Sequence, residues 1–189
     1  MIKVFLCFFV LFISVSPYVQ AQNNVFFFEE HIDFEIDAVR FSVNGIYSFY
    51  NAGPQDKLQP ITFPFASDMD KIDSVRIINL NTGGLIPFGR QIKAVSFMLI
   101  IPAGDTVDVN IFYRQKVSYI NTYILTSTQA WGEPLKKAVY TLTNDADISI
   151  KSFSYLPDSS RISNNKQLYF WEMQDFMPTQ DFEIRLDSL

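Results

Sequence analysis

The sequence predicts an all-β fold, a two-layer antiparallel β-sandwich that follows a cleaved signal peptide. Three observations predict it. Hydrophobic side chains alternate with a period of two from Phe26 onward, the spacing of a half-buried strand. Clusters of Asn, Asp, Gly, Pro and Ser interrupt these runs at short intervals, and such residues supply the positive φ angles and side-chain-to-backbone bonds that chain reversals need. No long stretch carries helical periodicity with caps; the nearest, 129–137, holds Gly132 and Pro134.

The chain opens with Lys3, an almost wholly apolar run over 4–15, and Val19-Gln20-Ala21, a small-residue cleavage pattern. A membrane-spanning helix needs roughly 20 apolar residues, and Ser14, Ser16 and Pro17 end this run too early. Residues 1–21 are therefore expected to be a signal peptide, with no stable membrane insertion after cleavage. Cys7, the only cysteine, falls inside it, too early in the apolar run to act as a lipidation site. The remainder, 22–189, is expected to form a single β-sandwich domain of 189 less 21, or 168, residues, working outside the cytoplasm in the periplasm or beyond the cell.

Within 28–37, Phe28, Ile32, Phe34 and Ile36 are expected on one face, and Glu29, His31, Asp33, Glu35 and Asp37 on the other. Over 39–50, Val39, Phe41, Val43, Tyr47 and Phe49 face one way, and Arg40, Ser42, Asn44, Ser48 and Tyr50 the other. Gly45 inside that run signals a bulge or a close backbone approach. Further strands are expected over 60–65, 74–80, 92–101, 106–117, 119–126, 137–143, 148–155, 167–175 and 182–186. Turns are expected at Asn51-Ala52-Gly53-Pro54, Asn81-Thr82-Gly83-Gly84, Asn144-Asp145-Ala146-Asp147 and Pro157-Asp158-Ser159-Ser160. Pro102-Ala103-Gly104-Asp105 has the strongest hairpin character. Roughly ten strands at this spacing suit two packed antiparallel sheets.

Composition excludes several functions. The 15 basic and 20 acidic residues give a net charge of -5, and removing Lys3 takes it to -6. The basic residues are scattered among acids, which argues against nucleic acid as a partner. With one histidine and no cysteine after cleavage, a Cys-His mechanism and a histidine-rich zinc site are excluded. There is no G-x-S-x-G elbow, and Asn81-Thr82-Gly83-Gly84 lacks the lysine of a phosphate-binding loop. No cofactor is expected.

Two constellations remain. The acidic ladder Glu29, Asp33, Glu35 and Asp37, with His31 inside it, places i and i+2 side chains about 7 Å apart, a weak candidate for a hard cation such as calcium. A solvated strand face accounts for the same residues, and the acids would blunt an exposed edge. The second is the segment 123–135, where a strand ends in Thr126-Ser127-Thr128 and runs on through Trp131-Gly132 to Pro134. Tyr123, Trp131 and Trp171 are the candidate binding residues, as an aromatic platform for a partner or a glycan; the same rings suit core packing. No catalytic residue is assigned, and paired-carboxylate hydrolysis depends on a separation that sequence does not fix.

The run Gly45-Ile46-Tyr47-Ser48-Phe49-Tyr50-Asn51-Ala52-Gly53, followed by Ile61-Thr62-Phe63-Pro64-Phe65, resembles the opening of exported bacterial β-sandwich domains of unknown function. The stretch from Tyr123 to Trp131 is similar to a second pattern in such proteins, with Ser127-Thr128 where Thr-Gly is common. The resemblance implies fold and defines no catalytic residue. The N-terminal β-sandwich of large exported aminopeptidases is a further comparison, and the zinc-binding H-E-x-x-H of those enzymes is absent.

The expected function is thus a non-enzymatic exported module that binds a protein or cell-surface component. A carbohydrate-binding module and a carboxylate-dependent hydrolase are the alternatives.

Overall fold

The structure, a computed structural model, describes residues 24–188. The expected export segment, with Cys7, lies outside the described residues. The strands are β1 (Val25–Ile36), β2 (Arg40–Asn51), β3 (Lys57–Pro64), β4 (Ile72–Asn79), β5 (Gly84–Leu85), β6 (Gly89–Arg90) and β7 (Ala94–Ile101). They continue as β8 (Thr106–Lys116), β9 (Ile120–Tyr123), β10 (Leu135–Asp145), β11 (Ile150–Phe153), β12 (Ser159–Ser163), β13 (Lys166–Phe176) and β14 (Phe182–Leu186). Two 3-10 segments, Met69–Lys71 and Thr126–Trp131, are the only helical turns among the described residues.

The all-β expectation holds, but the layers differ from two antiparallel sheets. An eight-stranded sheet runs β12-β13-β10-β1-β2-β8-β4-β5, and two three-stranded sheets run β11-β14-β9 and β3-β7-β6. Pairing is antiparallel except at the centre, where β1 lies parallel to β10 with His31 opposite Val139 and Phe34 opposite Leu142. Both small sheets pack on one face of the large one. Phe34 of β1 stacks on Phe182 of β14 at 4.9 Å, while Phe63 of β3 meets Tyr47 of β2 at 5.4 Å. Phe63 also approaches Tyr123 of β9 at 6.4 Å, so the small sheets share one core.

Pro102–Asp105 is not a hairpin. Gly104 takes φ 68° and Asp105 N–H donates to the Pro102 carbonyl, so the chain does turn there. The strands it joins belong to different sheets, β7 pairing with β3 and β8 with β2. The reversal carries the chain from one layer to the other, which local turn chemistry does not distinguish from a hairpin. Asn51 fastens this corner to the opposite one, between β2 and β3. Its side-chain amide donates to the carbonyls of Gln55 (2.9 Å), Ile101 (3.0 Å) and Pro102 (3.2 Å), and its Oδ1 accepts from Gly53 N–H.

The strand β12 carries no sequence signal, because its five residues are all exposed and hydrophobic periodicity is absent. It forms through the two-residue turn Asn164-Asn165, with φ values of 50° and 57°, the twist a tight hairpin requires. The two-residue strands β5 and β6 also escaped the sequence pattern. Conversely, the expected strand over 119–126 stops at Tyr123 and passes into the 3-10 segment.

Candidate functional site

The aromatic residues singled out by sequence do not form a platform. Tyr123 and Trp171 are buried. Trp171 packs on Phe182 at 5.1 Å, and its indole N–H donates to the Tyr155 carbonyl at 3.0 Å, the partner a buried tryptophan needs. Trp131 is half-buried over Phe49 (5.4 Å) and Phe27 (6.0 Å). The acidic ladder is spread out. Glu29, Asp33 and Glu35 follow the outer face of β1, where Thr141 donates to Asp33, and Asp37 turns away to accept from the backbone N–H groups of Val39 and Arg40. Among the described residues no three His, Cys, Asp or Glu side chains gather as a metal site.

A carboxyl outside both sequence constellations, Glu30, lies at the heart of the molecule. Residue Phe28 is a β-bulge: Phe27 pairs with Phe49 and Glu29 with Ser48, leaving Phe28 without a partner on β2. The extra residue switches the inward-facing parity from odd (Val25, Phe27) to even (Ile32, Phe34, Ile36). Phe28, expected in the core, therefore turns outward, and Glu30 turns inward at 1% exposure. It sits opposite Tyr47 on β2 and beside the small Ala138 on β10. Tyr140 donates to its Oε1, and Tyr123 lies 3.2 Å from its Oε2. The Tyr47 hydroxyl is 3.2 Å from that of Tyr123, completing a chain in which Tyr47 donates to Tyr123 and Tyr123 to Glu30. Gly45 makes this possible. A Cβ there would fall 2.6 Å from the Tyr47 ring, so glycine lets the ring lie flat on the strand and aim its hydroxyl at the cluster.

Burial pushes the Glu30 carboxyl up to about 7, outweighing the two tyrosine bonds that favour its ionised form. Burial, then the Glu30 charge, pushes Tyr47, Tyr123 and Tyr140 well above the ordinary tyrosine range, so their hydroxyls remain proton donors. Glu30 borders a cavity of about 40 Å³ whose walls include Phe27, Tyr47, Tyr123, Thr128 and Trp131. That is room for about two waters and too little for a sugar or a peptide. Glu30 is the only acid lining it, and His31 points to the opposite face of β1. The cluster can hold a proton and join β1, β2 and β10 to β9. It lacks the second carboxylate that acid-base hydrolysis uses.

Several outer surfaces have room for a ligand or partner, among them a shallow hollow of about 700 Å³ between Ser74–Ile77 and Leu85–Phe88; two others carry side chains unusual for an outer face. The first is an open groove of about 670 Å³ at the bulged end of β1, lined by Phe26, Phe28, Tyr50, Glu133, Lys136 and Asp175 among others. The second is the outer face of the β3-β7-β6 sheet. Leu58 pairs with Ile100 and Pro60 with Met98, and all four are exposed, with Leu58 at 56%, Met98 at 49% and Ile100 at 63%.

This fold recurs in proteins of unlike kinds. The chain is similar to a candidate nutrient-binding protein of Legionella pneumophila, at 13% identity and a TM-score of 0.67, covering 87% of this chain and 67% of that one. It is also similar to an M1 zinc metallopeptidase of Deinococcus radiodurans, at 10% identity and a TM-score of 0.55, covering 87% of this chain and 42% of the peptidase. The chain thus spans less than half of the peptidase. No family model matches the sequence, and no characterised protein compared with it matches either. At these identities the likeness establishes the fold, and the fold alone does not carry an activity.

Proposed function

We propose that the protein is an exported, non-enzymatic domain that docks on a protein of the cell envelope through the outer face of the β3-β7-β6 sheet. The observation that carries this reading is the pair of cross-strand contacts Leu58–Ile100 and Pro60–Met98, four apolar side chains turned to solvent on adjacent strands. A sheet face open to water ordinarily presents polar residues, as β1 does with His31, Asp33 and Glu35. Contiguous apolar patches of this kind mark interaction sites. The non-enzymatic part rests on Glu30 being the sole acid of its cavity and on the dispersed outer acids. The binding role described for the Legionella protein supports the same direction. The amino-terminal run over 4–15 supports export.

The test is site-specific photo-crosslinking in intact cells. A photoreactive residue at Met98 or Ile100 is expected to trap one discrete envelope polypeptide, and the same group at Asp33 to trap none. Leu58→Glu is expected to abolish the adduct. No discrete adduct, or equal capture at Asp33, would overturn the reading; an adduct with a second copy of the chain would replace it with self-association.

A further inference from the structure

The groove at the bulged end of β1 breaks the pattern of the face on which it lies. Along the rest of β1 and β2 the outward positions are Glu29, His31, Asp33, Glu35, Arg40, Ser42, Asn44 and Ser48, with Ile46 the apolar exception. At this end they become Phe26, Phe28 and Tyr50. Phe26 pairs directly with Tyr50 across the strands, and the bulge delivers Phe28 to the same side. Tyr50 is 38% exposed, and Phe26 and Phe28 are half-buried beside it, each keeping part of its ring open to the groove.

The polar lining is mixed in sign. Glu133 follows the 3-10 segment, and Lys136 is the second residue of β10, with its ammonium 5.8 Å from the centre of the Phe28 ring. Asp175 reaches the groove from β13 with φ 48°, a left-handed conformation that Asp tolerates better than most non-glycine residues. None of the three charges takes part in an ion pair among the described residues. An organic cation would suit the rings and the two carboxylates but would meet Lys136. An anion would suit Lys136 but would meet both carboxylates. A neutral, polyhydroxylated ligand conflicts with neither. Its hydroxyls can donate to Glu133 and Asp175 and accept from Lys136, while its C–H faces lie on Tyr50 and Phe26. An open groove also favours such a ligand, because exposed charge pairs with an ionic one would be weakened by water.

We infer that this groove is a binding site for a neutral oligosaccharide, built from Phe26, Phe28 and Tyr50 as the stacking surface and Glu133, Lys136 and Asp175 as the hydroxyl-binding groups. Its volume, within the range of ligand pockets, accommodates about two or three sugar rings. The site is separate from the apolar docking face, so either can fail without the other.

Calorimetric titration of the purified protein with maltohexaose, cellohexaose and chitohexaose, alongside spermidine and a sialylated trisaccharide, tests the assignment. Saturable binding of at least one neutral oligosaccharide is expected at up to millimolar concentration. Tyr50→Ala and Glu133→Gln, both at exposed positions, are each expected to weaken it about tenfold or more with the thermal melt unchanged, and Ile100→Glu is expected to leave it intact. Binding of none of the three neutral sugars, tighter binding of spermidine or of the sialylated sugar, or affinity unaffected by Tyr50→Ala would each overturn the assignment.

Discussion

Glu30 shows how much a single extra residue can decide. The bulge at Phe28 gives the even-numbered residues of β1 the inward face, and Glu30 is one of them. Its folded value of about 7 lies above the ordinary 4.5, so the folded state takes up the proton more readily than the unfolded chain. The stabilisation from that proton is fully present below pH 4.5, declines as pH rises through the window from 4.5 to 7, and is gone above about 7. A difference of this size corresponds to about 3 kcal/mol. Glu30→Gln keeps the size and a hydrogen-bonding oxygen but cannot ionise. Chemical denaturation from pH 4 to 8 is expected to show the wild type losing stability relative to Glu30→Gln across that window, and a constant difference between the two would contradict the assignment. The signal was in the sequence, since the alternation that places Ile32, Phe34 and Ile36 inside also selects Glu30. What sequence could not supply was the three tyrosines, which come from positions 47, 123 and 140 and meet only in the folded core.

At the scale of elements, strands with an apolar face were legible and connections were not. β14 coincides with the expected 182–186, and β8 and β13 lie within a residue of the expected bounds, because one buried face imposes the period on the sequence. Val39, expected on the core face, stands exposed in the turn before β2, because Asp37 accepts the N–H groups of Val39 and Arg40 and fixes the chain there. Layer changes were illegible for a different reason. The corner at Pro102–Asp105 is held by Asn51, roughly fifty residues earlier, whose amide reaches three carbonyls of the two corners. Asn51 is buried, so truncation would leave those carbonyls and the Gly53 N–H short of a partner. Asn51→Ala is expected to cost about 2–3 kcal/mol in equilibrium unfolding, whereas Asn81→Ala, at an exposed turn, should cost less than about 1 kcal/mol. Equal effects at the two positions would show that Asn51 does not secure the corner.

Across the whole molecule, the order of strands makes the two halves of the chain inseparable. The large sheet is centred on β1, which has β2 as its antiparallel neighbour and β10 as its parallel one. The chain must therefore reach residue 135 before the first strand is flanked on both sides. The sheet β11-β14-β9 interleaves the halves again, since β9 precedes β10 and its partner β14 is the last strand. Glu30 is held from both directions, by Tyr47 and Tyr123 before β10 and by Tyr140 within it. The segment Thr126–Trp131 is likewise fixed by late residues, with Asp181 accepting from the Leu125 and Thr126 N–H groups and Gln129 donating to the Pro178 carbonyl. Such interdependence predicts one cooperative unit rather than two that melt apart. Scanning calorimetry is expected to show a single transition whose calorimetric and van't Hoff enthalpies agree. A chain ending before Leu135 would leave β1 with one exposed edge and Glu30 without Tyr140, and it is expected to show no cooperative transition. A truncated chain that melts cooperatively would mean that the β1-β2-β8-β4 half has a core of its own, and that the parallel β1–β10 pairing is an addition to the fold rather than its centre.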